Sequence, residues 1–274
     1  MAGSVSLTGG HGGAAAFGGM AEDLGHQSAA VAAIAAATFG LIAGSMLGGP
    51  VARFLIKRHN VKIEAIDDGQ NYNAEPKTLA NTVKEIDVNA FLKMLAVILG
   101  IMVVGRWGSA QFTAATGFSL PGYVGAMIIA IIVRNFNDSV KVFELNQKSI
   151  DLISGVSLGL FLTMAMMSLK IWDLKNIALP LFIILFLQVV TLLLFTVFFV
   201  FRVLGKNYDA AVMCSGLMGH GLGATPNAMA NMTSVCDHYK MISTRALMIV
   251  PLSGAVLIDI VAIPYHTWLI NYFS

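Results

Sequence analysis

The sequence predicts an all-α polytopic membrane protein. Its architecture is an inverted repeat with re-entrant glycine-rich hairpins, in which the first repeat is incomplete. Three observations predict this. Of 274 residues, 57% are hydrophobic and only 12% charged, with a mean hydropathy of +0.76; a soluble domain carries about 25% charged residues. Apolar stretches recur at the length of roughly 20 residues that a bilayer requires. Two glycine-histidine runs, Leu7-Thr-Gly-Gly-His-Gly-Gly-Ala14 and Met218-Gly-His-Gly-Leu-Gly-Ala-Thr225, each precede a long apolar segment. Loose backbone is costly in lipid and survives at membrane depth only where protein buries it or a polar cavity adjoins it. Two copies, one per half, point to a secondary transporter whose site lies between repeated elements.

The end of the first repeat, residues 1–56, reads as a re-entrant loop followed by a span over 28–56. Gly40, Gly44, Gly48 and Gly49 lie there on related faces, and four-residue glycine spacing lets a second helix approach closely. Pro50 and the basic Arg53, Lys57 and Arg58 mark its end. Residues 57–87 are polar without a helical stripe and predict an exposed central loop. The second repeat, 88–274, opens with a span over 88–107. A link rich in Gly, Thr and Ser, 108–119, leads to a short span over 120–133 that carries Pro121, Gly122 and Gly125. In 134–148, Val140, Val142, Phe143 and Leu145 alternate with charges and predict an amphipathic interfacial helix. Spans over 150–169 and 177–201 follow, then a polar loop over 202–209. The stretch 210–232 is apolar but broken by Gly216, Gly219, Gly221, Gly223 and Pro226, which predicts a re-entrant hairpin. After polar 236–245, the last span over 246–270 holds Pro251, Gly254 and Pro264.

Lys and Arg set the orientation. With the central loop in the cytoplasm, only Arg106, Lys170 and Lys175 of the 17 fall outside. The C-terminus is then extracytoplasmic. The first glycine run enters from outside and the second from the cytoplasm. This predicts a multi-pass protein of the cytoplasmic (inner) membrane, in contact with the lipid bilayer. Met1-Ala-Gly-Ser4 offers no basic region of a signal peptide. The net charge of +2 lies outside the spans and gives no reason to expect a nucleic-acid partner. Two cysteines, Cys214 and Cys236, form no framework and read as free thiols.

Chemistry concentrates in the glycine runs. Thr225-Pro226 is a helix start, with Thr as N-cap and Pro at the first helical position. The new half-helix carries Asn227 and Asn231 on one face. Its free N–H groups and its dipole suit a carboxylate. The glycines permit positive φ and close approach of backbone to ligand; a glycine-rich packing seam is the plainer alternative. The first run has no Pro but offers the hydroxyls of Ser4, Ser6 and Thr8 at alternate positions. His11 and His220 have no Cys or carboxylate at ligand spacing. Zinc sites need about four ligands, so a structural histidine bonded to backbone is favoured over a metal ligand or a proton relay. Asp259 sits in Val256-Leu-Ile-Asp-Ile-Val261, inside a span. An ionisable residue there is a functional candidate, for a cation beside the second hairpin. Tyr208-Asp209 with Gly221-Leu-Gly223 resembles an intramembrane aspartyl protease, but the second carboxylate's position holds Ala224. No acid–base pair remains, and an enzyme is not expected.

The residues, taken together, resemble the sodium/glutamate symporters of the glutamate:sodium symporter family. The matching stretches are Ser6-Leu-Thr-Gly-Gly-His-Gly12, Ala37-Thr-Phe-Gly40, Gly48-Gly-Pro-Val-Ala-Arg53, Val156-Ser-Leu158, Gly205-Lys-Asn-Tyr-Asp-Ala-Ala-Val212, Gly221-Leu-Gly-Ala-Thr-Pro226 and Ile258-Asp-Ile-Val261. The resemblance implies two inverted halves of about five spans each, a homodimer and elevator-like movement. It implies sodium-coupled uptake of glutamate, with sodium as coupling ion and no other cofactor. The two glycine loops would then line the site, through Ser6, Thr8, Gly9, Gly10 and Gly12 from the first and Gly219, Gly221, Gly223, Thr225 and Asn227 from the second. Sodium would be held by carbonyls, hydroxyls and Asp259. Against the family pattern, the chain is expected to be N-terminally truncated by four spans, with a separate chain as one source of them. A carrier for citrate or another organic acid is the alternative, as is a non-transporting partial chain that pairs with those spans.

Overall fold

The computed structural model describes residues 2–26, 28–61, 87–117, 122–168 and 177–273. Most of the central loop, Pro121, and Lys170 and Lys175 lie outside these. Among the described residues all regular structure is helical. The helices are α1 (Ser4–Leu7), α2 (Gly10–Asp23), α3 (Ala29–Arg58), α4 (Val88–Thr116), α5 (Gly122–Val140), α6 (Gln147–Ser168), α7 (Ala178–Val203), α8 (Tyr208–Leu222), α9 (Thr225–Tyr239), α10 (Thr244–Leu252) and α11 (Ile258–Tyr272). Three of them, α3, α4 and α7, are long and apolar enough to cross a membrane. The chain divides into two units. One comprises Met1–Ile66 with Leu169–Ser274, the other Asp67–Ser168.

In the unit Asp67–Ser168, helices outrun the boundaries that composition suggests. The Asp87 carboxylate caps α4, accepting the N–H groups of Asn89 and Ala90 at 3.2 and 3.3 Å. The helix then runs through most of the predicted link 108–119, because Ala and Gln sustain it and no Pro interrupts it. It stops at Gly117, which takes the left-handed conformation (φ 71°) suited to a helix C-cap. Close backbone approach joins α4 to α5. A Cβ on Gly105 would strike the Ala126 backbone, and one on Gly125 would strike the Gly105 carbonyl and Ser109. The predicted interfacial helix over 134–148 does not form. Nothing breaks α5 after Val133, and Arg134 pairs with Asp138 one turn on at 3.1 Å. The helix therefore reaches Val140. Lys141 (φ 52°) then turns the chain. Asn137 holds the turn from both sides: its Nδ2 donates to the Phe143 carbonyl at 2.9 Å, and its Oδ1 accepts the Phe143 N–H at 3.0 Å.

The other unit is built around α3 and α8. Its core joins Val51, Leu55 and Ile56 of α3, Phe201 of α7, Val212, Met218 and Leu222 of α8, and Met232 of α9. This burial carries α3 past Pro50, which lies inside the helix and does not end it. The predicted hairpin 210–232 is longer than its glycines suggest: α8 and α9 together cover 208–239, parted only at Gly223-Ala224. The last span is one helical path from Thr244 to Tyr272, with a π turn at Ser253–Leu257 between α10 and α11. A second π turn, Thr196–Val200, lies within α7. At the base of the α8–α9 hairpin, the Tyr208 hydroxyl donates to the Met241 carbonyl at 2.6 Å and the Ser243 hydroxyl to Asp209 at 2.7 Å. These bonds fix where α8 starts and where α10 follows α9.

The glycines of α3 serve contact. A Cβ at Gly40 would run into the Leu222 carbonyl and the Leu7 side chain, whereas one at Gly49 would meet nothing within 4 Å. Gly40→Ala is therefore expected to destabilise the protein by about 1–3 kcal/mol, the usual cost of overpacking. Gly49→Ala should be neutral or slightly stabilising. Thermal unfolding of the two variants in detergent checks this; equal midpoints would contradict the close packing at Gly40.

Candidate functional site

Both glycine runs break a helix, but each break is much shorter than the run itself. In the first, α1 ends at Leu7 and α2 begins at Gly10, so only Thr8 and Gly9 intervene. In the second, Gly219 and Gly221 lie within α8, and the break is Gly223-Ala224. Loose backbone over the full runs is thus corrected to two-residue breaks. The runs contain no Pro, and a glycine weakens a helix by only about 1 kcal/mol relative to Ala, so the remaining glycines stay helical. Gly219 is used for packing: a Cβ there would sit 2.7 Å from the Ala228 backbone.

The two breaks touch. Gly10 adopts φ +57°, and a Cβ on it would lie 3.2 Å from the Gly223 carbonyl and 3.4 Å from the Ala224 side chain. The left-handed dihedral favours glycine here, and a Cβ would crowd the Gly223 carbonyl. Each break opens a helix that has no side-chain cap: Gly9 precedes α2, and Ala224, in extended backbone, precedes α9. The predicted cap at Thr225 is therefore displaced by one residue. Thr225 is the first helical residue and Pro226 the second, which frees the Thr225 hydroxyl from capping. The N–H groups that begin a helix have no intrahelical partner. Those of Gly10, His11 and Gly12 on α2, and of Thr225 and Asn227 on α9, are of this kind, and Pro226 has none to offer. Two helix starts, each with about half a positive charge, meet at one place. Such an arrangement attracts anions.

The named residues divide by exposure at this junction. Gly9, Gly12 and Pro226 are exposed, and Thr8, Thr225 and Ala224 are half-buried. Ser6, Gly10, Gly219, Gly223 and Asn227 are buried. Gly221 faces α7, where a Cβ would lie 2.9 Å from the Leu192 side chain. Asn227 and Asn231 point at α3. Asn227 donates to the Leu41 carbonyl at 3.1 Å and accepts from the Ser45 hydroxyl at 2.6 Å. Asn231 donates to the Gly44 carbonyl at 2.9 Å and lies 3.4 Å from the Ser215 carbonyl. Gly44 and Gly48 leave room for these amides. The asparagine face thus fastens α9 to the backbone of α3. Ser45 and Thr38 were not singled out from the sequence. The available signal was two hydroxyls seven residues apart beside the glycine stripe, which places them on one side of the helix.

The histidines bond side chains, not the backbone expected of them. His11 Nε2 lies 3.1 Å from the Thr38 hydroxyl, which donates to the Ile34 carbonyl at 2.9 Å. His220 Nδ1 lies 3.5 Å from the Thr225 hydroxyl, while its Nε2 is buried without a partner among the described residues. Leaving such an atom unpaired costs about 1–3 kcal/mol. Gly254, inside the π turn, makes room for the ring: a Cβ there would sit 2.8–2.9 Å from it. Ser4 hydrogen-bonds His266 of α11 at 2.7 Å, so the first element is tied to the last. Asp259 is half-buried in the first turn of α11, and its carboxylate has no hydrogen bond or ion pair to a described residue. No group of three or more metal-binding side chains occurs among the described residues.

Comparison of the sequence with known proteins matches the chain to a family. A family model described as sodium/glutamate symporter matches residues 1–241. The sodium/glutamate symporter of Haemophilus influenzae is 38% identical over 269 residues, across 95% of this chain and 64% of that protein. That of Escherichia coli is 38% identical over 264 residues, with the same two shares. The chain therefore spans 64% of the length of these curated relatives. No solved structure matches. Helices of this length and hydropathy, in a chain so related, make this an integral membrane protein.

Asn231→Ala removes the buried bond to α3. Interhelical hydrogen bonds between apolar helices contribute about 0.5–2 kcal/mol, so a matching loss of stability in detergent is expected. An unchanged thermal midpoint would show that the amide does not fasten α9.

Proposed function

The chain belongs to the sodium/glutamate symporter family, and from that membership we propose that it carries out sodium-coupled uptake of glutamate across the cytoplasmic membrane. The observation that carries the reading is the contact of two uncapped helix starts at Gly10 and Gly223. Glutamate brings carboxylates, and broken helices are the usual means by which transporters present N-termini to an anionic substrate. The start of α9 at Thr225 and the start of α2, with Thr8, Gly9, Gly10 and Gly12, hold the carboxylates. Ser6, Gly219, Gly221, Gly223 and Asn227 shape the junction from behind. Freed carbonyls, hydroxyls and Asp259 hold sodium, and alternating access delivers both to the cytoplasm.

The finer architecture belongs to the same proposal. Each break is followed by a helix of similar length, 14 residues for α2 and 15 for α9. Each of these is followed by a long helical path containing Gly and Pro. This order supports inverted repeats with re-entrant hairpins: the end of the first within 1–56, the second over 88–274. The central loop is cytoplasmic, the C-terminus is extracytoplasmic, and the protein works as a homodimer.

Labelled glutamate is expected to accumulate in proteoliposomes under an inward sodium gradient and to stop when choline replaces sodium. Uptake indifferent to sodium would end the symport proposal, and uptake of citrate but not glutamate would favour an organic-acid carrier. Replacing Thr225-Pro226 by Ala-Ala should weaken glutamate binding more than it lowers expression; equal loss of both would give the break a purely structural role.

A further inference from the structure

We propose that the adjoining C-terminal ends of α3 and α7 bind the headgroup of an anionic phospholipid through Lys57, Arg58, Arg202 and Lys206. The two helices run side by side in the same direction. Phe39 meets Phe182 with ring centroids 6.0 Å apart, and further along both helices His59 meets Phe201 at 4.9 Å. Their ends therefore lie at one level, and both carry cations there. Lys57 and Arg58 close α3, Arg202 lies in the last turn of α7, and Lys206 follows in a left-handed turn (φ 53°) before α8. All four are exposed, and none forms an ion pair with a described residue. Asp209, at the start of α8, is engaged elsewhere: it accepts from the Ser243 hydroxyl at 2.7 Å and lies 4.0 Å from Arg245. A helix C-terminus favours a nearby cation, but four unpaired cations on adjoining ends repel one another until an anion joins them. The apolar residues beside them select the anion. On α3 the exposed Met46, Pro50 and Phe54 lead at four-residue spacing to Arg58, and on α7 the exposed Leu194 and Phe198 lead likewise to Arg202. Such spacing places each set on one side of its helix. A free phosphate has no use for these stripes, whereas a phospholipid lays its acyl chains along them with its headgroup on the cations. With 30 residues, α3 is about 45 Å long, against about 30 Å of hydrocarbon in a bilayer, so its last turn reaches the headgroup layer. Lys and Arg beside membrane spans attract anionic lipid there.

Phosphatidylglycerol is titrated into the full chain in a non-ionic detergent, and the rise of the thermal midpoint gives the apparent affinity. The rise should exceed that with phosphatidylcholine, and inorganic phosphate should give none. Lys57→Gln with Lys206→Gln removes one cation from each helix end. As a control, Lys93→Gln with Lys141→Gln removes the same charge from the unit Asp67–Ser168, again one Lys from a helix and one from a left-handed turn. Each cation near an anionic lipid contributes about fivefold in affinity. The first pair should therefore bind phosphatidylglycerol about thirtyfold more weakly, with the control pair close to the parent. Arg58→Gln with Arg202→Gln should act like the first pair, and takes its place should that pair fail to give monodisperse protein. Equal rises with phosphatidylglycerol and phosphatidylcholine, or equal weakening by the two lysine pairs, would overturn the proposal. A matching rise with inorganic phosphate would overturn it as well, since the apolar stripes would then have no part in binding.

Discussion

The site-bearing unit depends on the approach of α8 and α9 to a face of α3 that has no side chains in the way. Gly40, Gly44 and Gly48 lie at four-residue spacing on α3; a Cβ at Gly40 or Gly48 would clash with the α1 side chain or the hairpin, and one at Gly44 would sit 3.1–3.2 Å from Asn227, Met218 and Leu222. Apolar side chains gain little by meeting one another in lipid, so helix association there relies on packing and on hydrogen bonds. Both are present. The Leu222 carbonyl and Leu7 close on Gly40, while Asn227 and Asn231 reach into the helix to bond the Leu41 and Gly44 carbonyls. A larger residue on this stripe would remove the room for those amides as well as separating the helices.

That attachment explains how two unpaired helix starts can be tolerated inside an apolar protein. A helix start with no cap is costly when buried, because its N–H groups lose water and gain no partner. Here the cost is offset from below. Asn227 and Asn231 fasten α9, the Tyr208 and Asp209 contacts fix the hairpin's base, and Ser4 ties α1 to His266. The donors at Gly10 and Thr225 can then remain unpaired because the helices carrying them cannot move aside to cover them. The buried Nε2 of His220 belongs to the same economy of withheld bonds.

How much of this was legible in the sequence differs by residue. The glycine-histidine runs marked where two helices break, whereas the caps Asp87 and Gly117, which bound α4, went unread behind the glycine- and threonine-rich composition of 108–119. Within the runs, glycine content gave a false extent. A glycine weakens a helix only modestly, by about 1 kcal/mol relative to Ala, and packing easily recovers that. The segment 134–148 misled for the opposite reason. Its alternating pattern came from a helix end, a turn and a helix start placed in succession, and period alone cannot separate those from one amphipathic element.

The membrane class, the glycine stripe and the second helix start near Thr225-Pro226 were determined by residue types and spacing alone. Local sequence carries that information because hydropathy, missing side chains and proline act on the residue where they occur. Only the tertiary structure decided that the two breaks touch at Gly10 and Gly223, that Asn227 turns to α3, that Ala224 takes the cap position, and that Gly254 accommodates His220. These are contacts between segments about two hundred residues apart, or choices among nearly equal local conformations. Their outcome is set by which surfaces fit when the helices pack, and no single stretch of sequence contains that fit.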